Sequence, residues 1–177
     1  GKCALIVKDL TIANANIKVE IDDGTESKGV GAFLGSAGAT TEVVFSNCHL
    51  VDSHVEGGHW TGGFVGYSAG YSGSDGSVFQ TVKFTGCTVS GSTLTGKGSV
   101  GALMGHATGD AWTSVEVKNT SVTANEVTST GSSNNKAGAL FGTTGAAGTA
   151  KNGKTGGIVV EAVVEGNTVK SNGTQVT

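Results

Sequence analysis

Short apolar–polar alternations recur along the chain at fixed offsets. Phe45, Cys48, Leu50 and Val55 define a template with offsets of three, five and ten residues, repeated by Phe84, Cys87, Val89 and Leu94 and by Val117, Thr120, Val122 and Val127. Val7, Leu10, Ile12 and Ile17 fit the same spacing at the start, and Val164, Asn167, Val169 and Thr174 fit it near the end with two polar replacements. A second phrase travels with the first: Gly31-Ala32-Phe33-Leu34-Gly35 returns as Gly62-Gly63-Phe64-Val65-Gly66, Gly101-Ala102-Leu103-Met104-Gly105 and Gly138-Ala139-Leu140-Phe141-Gly142. Its starts lie 31, 39 and 37 residues apart. Self-similarity at such a period marks a solenoid or another repeat architecture. The segments between turns alternate with period two and are rich in Val and Thr, and no apolar pattern holds helical spacing, so short strands are predicted and helix is not.

The units run over about 4–40, 41–76, 77–112 and 113–157, with a partial fifth over 158–177, all in a single domain spanning 1–177. Each offers about three short strands, such as Leu5-Ile6-Val7, Leu10-Thr11-Ile12 and Ile17-Lys18-Val19. The expected fold is all-β: a right-handed parallel β-helix of about four to five coils whose inward positions stack into columns and bury a core that no single coil makes. One column is expected to be Val7, Phe45, Phe84, Val117 and Val164, and another Ile12, Leu50, Val89, Val122 and Val169. A β-propeller would need more strand per repeat than the units contain.

Read as strands, the glycine-flanked phrases pose a difficulty. Adjacent strand residues face opposite ways, so Phe33, Phe64, Leu103 and Leu140 face one side and Leu34, Val65, Met104 and Phe141 the other. Either a bend at the glycines turns both rows inward, or the outer row is an apolar stripe. The sequence favours a stripe covered by the chain's own excursions or by a partner, because large apolar patches mark contacts.

Composition sharpens this picture. Thirty-one glycines and no proline suit many strands joined by tight turns, since proline cannot donate to a ladder and glycine accepts positive φ. The net charge is −3 and all eleven basic residues are lysine; without the arginine fork suited to phosphate and guanine, nucleic acid is not an expected partner. No apolar run is long enough to span a bilayer as a helix, and no signal peptide opens the sequence. Three cysteines leave at least one unpaired in a monomer. Cys48 and Cys87 share a repeat position, about one strand spacing or roughly 4.8 Å apart, where a disulfide is reachable but stacked buried thiols are the expected state. Cys3 has no counterpart.

Chemical constellations are sparse, and neither a metal nor a cofactor is expected. His49, His54 and His59 lie five residues apart, but the first two precede inward residues and do not converge as zinc ligands must. His106 reads as a lone surface residue. Asp22-Asp23-Gly24-Thr25-Glu26 has the acidity of a calcium loop without its alternating spacing. Polysaccharide-cleaving chemistry needs paired carboxylates, whereas Asp52, Glu56, Asp75, Asp110, Glu116 and Glu126 are scattered, with at most Glu56 and Glu126 approaching across coils; the chain is not expected to be an enzyme. Ice binding needs a regular threonine row, and the equivalent positions Asn16, His54, Thr93 and Glu126 do not supply one. Carbohydrate binding uses exposed aromatic platforms with polar neighbours; Trp60, Tyr67, Tyr71 and Trp112, beside the glycine phrases, are the candidates.

The Gly-[Ala/Gly]-[Phe/Leu]-hydrophobic-Gly phrase, preceded by a Val-x-Phe-x-x-Cys-x-Val phrase as in Val43 to Leu50 and Val82 to Val89, resembles the GLUG-type repeats of bacterial cell-surface proteins, in four copies over nearly the whole chain. The resemblance implies a β-helical stalk or binding module outside the cell, part of a larger surface protein and without catalytic residues. The expected function is an adhesin-like module or spacer presenting loops such as Ser68 to Gly76 and Ser129 to Lys136 to a glycan or host surface protein. The alternative is a carbohydrate-binding or polysaccharide-degrading β-helix. Self-association through coil ends or the outer stripe is a further expectation.

Overall fold

A computed structural model of the chain describes residues 3–20, 29–37, 42–68, 80–107, 113–131, 135–144, 156–172 and 174–175. These residues form strands and turns and contain no helix. The first repeat contributes β1 (Ala4–Lys8), β2 (Thr11–Ala13), β3 (Asn16–Lys18), β4 (Gly29–Gly31) and β5 (Leu34–Ala37), and the second β6 (Glu42–Ser46), β7 (His49–Val51), β8 (His54–Glu56), β9 (Trp60–Gly62) and β10 (Val65–Ser68). The third contributes β11 (Gln80–Thr85), β12 (Thr88–Ser90), β13 (Thr93–Gly96), β14 (Ser99–Gly101) and β15 (Met104–Ala107). In the fourth, β16 (Thr113–Thr123) fuses two of these strands and is followed by β17 (Glu126–Ser129), β18 (Lys136–Gly138) and β19 (Phe141–Thr144). The last strands are β20 (Gly157–Glu165), β21 (Thr168–Ser171) and β22 (Thr174–Gln175).

Every strand of one repeat pairs in parallel with its equivalent in the next, and only β22 turns back antiparallel, on β21. Four sheets result: one contains β1, β6, β11, β16 and β20 together with β2, β7 and β12; a second β3, β8, β13, β17, β21 and β22; a third β4, β9, β14 and β18; and a fourth β5, β10, β15 and β19. All-parallel sheets with this repeat connectivity are consistent with a β-solenoid. Each of the first three repeats carries five short strands where three were expected, because the stretch through each glycine phrase supplies two more, separated by a bend.

Register places Val7 on Phe45, Phe45 on Phe84 and Phe84 on Val117, and Ile12 on Leu50, Leu50 on Val89 and Val89 on Val122. These columns match the sequence expectation. The fifth repeat does not: Val160 stacks on Val117, Val164 on Val122 and Val169 on Val127, after a register shift between Val117 and Thr120. One residue is missing at the first corner of β20, so the offset template no longer fits the true equivalents and settles about one strand further along, on Val164 in place of Val160 and on Val169 in place of Val164. Asn167, expected in the cysteine column, instead follows Asn125.

That displaced asparagine has a structural role. Asn167 donates from Nδ2 to the carbonyl of Val122 at 2.8 Å and accepts from the Asn125 amide at 3.0 Å, while Asn125 donates to Val89 O at 3.0 Å and accepts from Ser92 N at 2.9 Å. Ser92 and Ser53 continue the ladder, each Oγ accepting from the backbone of the repeat before. Buried backbone groups at this corner therefore find partners. Cys48 and Cys87 are buried free thiols, their Sγ atoms 3.4 to 3.6 Å from carbonyl oxygens, and Thr120 replaces them with a hydroxyl donating to Lys118 O at 3.0 Å. Burial pushes the Cys87 thiol above its ordinary pKa. Cys3 is exposed.

The glycine phrases are corners, not strands. In each, the chain bends between the two flanking strands, at Ala32–Phe33 in the first, and the interrupted alternation turns both large residues inward. Phe64, Val65, Leu103 and Met104 are all fully buried, so the expected outer apolar stripe does not exist. Phe33 stacks on Phe64 at 4.3 Å, Phe45 stacks on Phe84 at 5.4 Å, and the two ladders meet edge to face, Phe45 on Phe64 at 5.4 Å. Ladder hydrogen bonds continue through the bends, as from Phe64 N to Leu103 O at 3.1 Å and from Leu103 N to Leu140 O at 2.9 Å.

Glycine is required here by proximity. A Cβ on Gly66 would sit 2.1 Å from Val30 N, on Gly62 2.0 Å from Val65 O and on Gly142 2.4 Å from Val100 N, all rigid backbone. Gly66→Ala is expected to cost on the order of 3 kcal/mol or to prevent folding, whereas Gly157→Ala, whose Cβ meets nothing within 4 Å, changes stability by less than about 0.5 kcal/mol; thermal denaturation compares them. A different corner offers a gain. Asn14, Asp52, Gly91, Ala124 and Gly166 take equivalent positions with φ between +46° and +64°, and alanine is the poorest choice among them. Ala124→Gly is expected to raise stability by about 1 kcal/mol, read as a higher midpoint in urea.

Candidate functional site

Where β4, β9, β14 and β18 meet β5, β10, β15 and β19, the glycine corners bring two sheets together with their outward residues adjacent. Outward positions up the first sheet are Gly29, Trp60, Ser99 and Lys136, and up the second Ser36, Tyr67, His106 and Thr143. Small residues hold half of these places; Lys136 takes one of the others, and an aromatic group in the second and third repeats takes the remaining three.

Trp60 stacks on Tyr67 with centroids 4.1 Å apart and planes 13° apart, and on His106 at 5.3 Å and 11°. Tyr67 and His106 are themselves 5.4 Å apart and nearly parallel, and His59 meets Trp60 edge-on at 4.7 Å. Beside the rings lies a depression of about 180 Å³ lined by His59, Trp60, Ser99, His106, Lys136 and Thr143. The hydroxyls of Ser99 and Thr143 are 2.6 Å apart, so one donates to the other and the acceptor keeps a proton to offer outward. Trp60, Tyr67, His59 and His106 are half-buried and Lys136 is exposed. Rings with both apolar faces and polar edges, next to hydroxyl and ammonium donors, can bind a ligand that is apolar on one face and hydroxylated at its rim. A larger depression, of about 360 Å³, lies beside the β16–β20 register shift, but its lining of Asn119, Thr120, Ser121, Glu161, Ala162 and Val163 has no ring and no cation.

Of the four aromatic candidates, the structure brings Trp60 and Tyr67 together, on strands and not in loops; Tyr71 and Trp112 lie outside the described residues, as do the acidic loop Asp22 to Glu26, Asp75 and Asp110. His106 belongs to the cluster and is not a lone surface residue. The signal was present: His106 follows the last glycine of its phrase as Tyr67 follows Gly66, and equivalent residues stack. His49 and His54 lie on successive strands β7 and β8, away from His59, and among the described residues no three metal-type side chains gather.

Two of the scattered carboxylates, Glu56 and Glu116, take local partners. Glu56 meets His54 at 3.4 Å and Lys18 at 3.3 Å, contacts that hold its carboxyl below the ordinary value, His54 contributing most. Glu116 is likewise lowered by Lys118, whose ammonium is raised in return. Glu126 registers with Thr93 and Thr168 and Glu56 with Lys18 and Thr95, so these two acids do not pair across repeats. Asp52 occupies a positive-φ corner.

Comparisons with protein-family models, curated proteins and solved structures return no match.

The rings are expected to be energetically coupled. A double-mutant cycle between Trp60→Ala and Tyr67→Ala should give an interaction of about 1 kcal/mol, and a value near zero would show that the rings merely lie side by side.

Proposed function

We propose that this chain is a right-handed parallel β-helix of four to five coils, serving as a non-catalytic, adhesin-like module of a bacterial cell surface that binds a glycan at the Trp60–Tyr67–His106 cleft. The aromatic cluster carries this reading. Three near-parallel rings are gathered at this cleft, in a chain with only ten Phe, Trp and Tyr residues in all. Stacking against sugar C–H faces, with hydroxyls and an ammonium at the rim, is the recognition such a surface offers.

The GLUG-type resemblance supports a location outside the cell, and the parallel ladders support a stiff stack that holds the strands of the cleft in register. Cleavage is not part of the proposal, because among the described residues the depression is lined by no carboxylate and glycoside hydrolysis in its usual form needs two.

Screening the chain on a glycan array, then titrating the best glycan against Trp60→Ala and Tyr67→Ala, tests this. Binding should weaken by about tenfold or more in each variant, the usual loss when a stacking ring is removed from a small interface. Absence of any glycan ligand, or binding indifferent to both substitutions, would reject the assignment.

A further inference from the structure

We infer that the glycan bound at the cleft is acidic, with carboxylates on its sugar rings; this rests on the glycan reading above. The outward faces of the other two sheets carry Glu42, Glu116, Glu161 and Glu165 among Lys8, Lys83 and Lys118 on one, and Glu56 and Glu126 beside Lys18 and Lys170 on the other. The segments that build the cleft, residues 29–37, 60–68, 99–107 and 136–144, contain no aspartate or glutamate at all. The whole chain has 14 acidic against 11 basic residues. Among the described strands, then, those around the cleft form the face on which an anion meets no fixed charge of its own sign.

The groups that line the depression complement an anion. Lys136 contributes an ammonium on the outward position next to Ser99. The Ser99–Thr143 pair keeps one hydroxyl proton to donate, and the imidazoles of His59 and His106 border the same space. A sugar ring resting on Trp60 would place a ring carboxylate within the reach of these donors, where a charge-assisted hydrogen bond is about twice as strong as a neutral one. A neutral sugar could use the rings but would leave the ammonium without a counter-charge. Discrimination between otherwise identical rings then comes from Lys136, and the shared stacking contributes equally to both.

The deciding experiment is calorimetric titration of the full chain with matched pairs: a short oligogalacturonate against the same oligosaccharide after carboxyl reduction, and sialyllactose against lactose, each at low and raised salt. At least one acidic member should bind about tenfold tighter than its neutral partner, and the margin should shrink as salt screens it. Lys136→Gln should remove that margin. Lys18→Gln, the same charge change beside Glu56 on another sheet, should not. Equal affinity for both members, or preference for the neutral ones, overturns the acid specificity and leaves the glycan site standing. Failure of all four probes to bind overturns both.

Discussion

Everything in this molecule depends on the hydrogen-bonded ladder that ties each short strand to its equivalent one repeat away. Strands of three to five residues cannot hold themselves together in water, and within a single repeat the inward side chains meet only across the interior, as Phe45 meets Phe64, with nothing above or below them. Stacked, they form continuous columns. Phe45 and Phe84 lie face to face, Phe33 and Phe64 do the same, and the two ladders close on one another across the interior. A chain that is 37% hydrophobic and rich in glycine thereby obtains a dry core, with Phe, Leu, Val and Met side chains wholly removed from solvent. The same ladder serves the corners, where backbone groups that alternation alone would orphan are paired through Asn125, Asn167, Ser92 and Ser53.

The second constraint is the close approach of two backbones at the glycine corners. Because a side chain at Gly62, Gly66, Gly105 or Gly142 would collide with main-chain atoms, these glycines are needed for contact as well as for turning. The contact has a second consequence. It brings the outward row of one sheet beside the outward row of the next, and Trp60, Tyr67 and His106, on three separate strands, become a single stacked group. Core and site thus share one device: the bend that drives Phe64 and Val65 inward is the bend that sets Trp60 against Tyr67.

The site is partly legible in the sequence. Trp60 and Tyr67 stood out because large rings beside glycine phrases are uncommon in this chain, and they do meet. His106 was missed because a single histidine carries no local signal, although its place after Gly105 put it in the column of Tyr67. Ser99, Thr143 and Lys136 were invisible for the same reason: each is ordinary by type, and only its neighbours make it a lining residue. The fifth repeat went astray for a different reason. A template of fixed offsets has no means of registering the loss of one corner residue, and Asn167 then passed for a poor cysteine substitute when it extends an asparagine ladder.

By itself the sequence determined the repeat, the predominance of strand, and which residues of the first four repeats share a column, because a one-dimensional stack converts equal spacing along the chain directly into vertical neighbourhood. It could not decide whether the glycine phrases were straight or bent, since the period-two rule holds only inside a strand and is reset wherever the backbone turns. Only the tertiary structure settled that, and with it the burial of both apolar rows and the meeting of the rings. Those contacts join positions that are not equivalent, across a corner whose angle depends on how closely two backbones can approach.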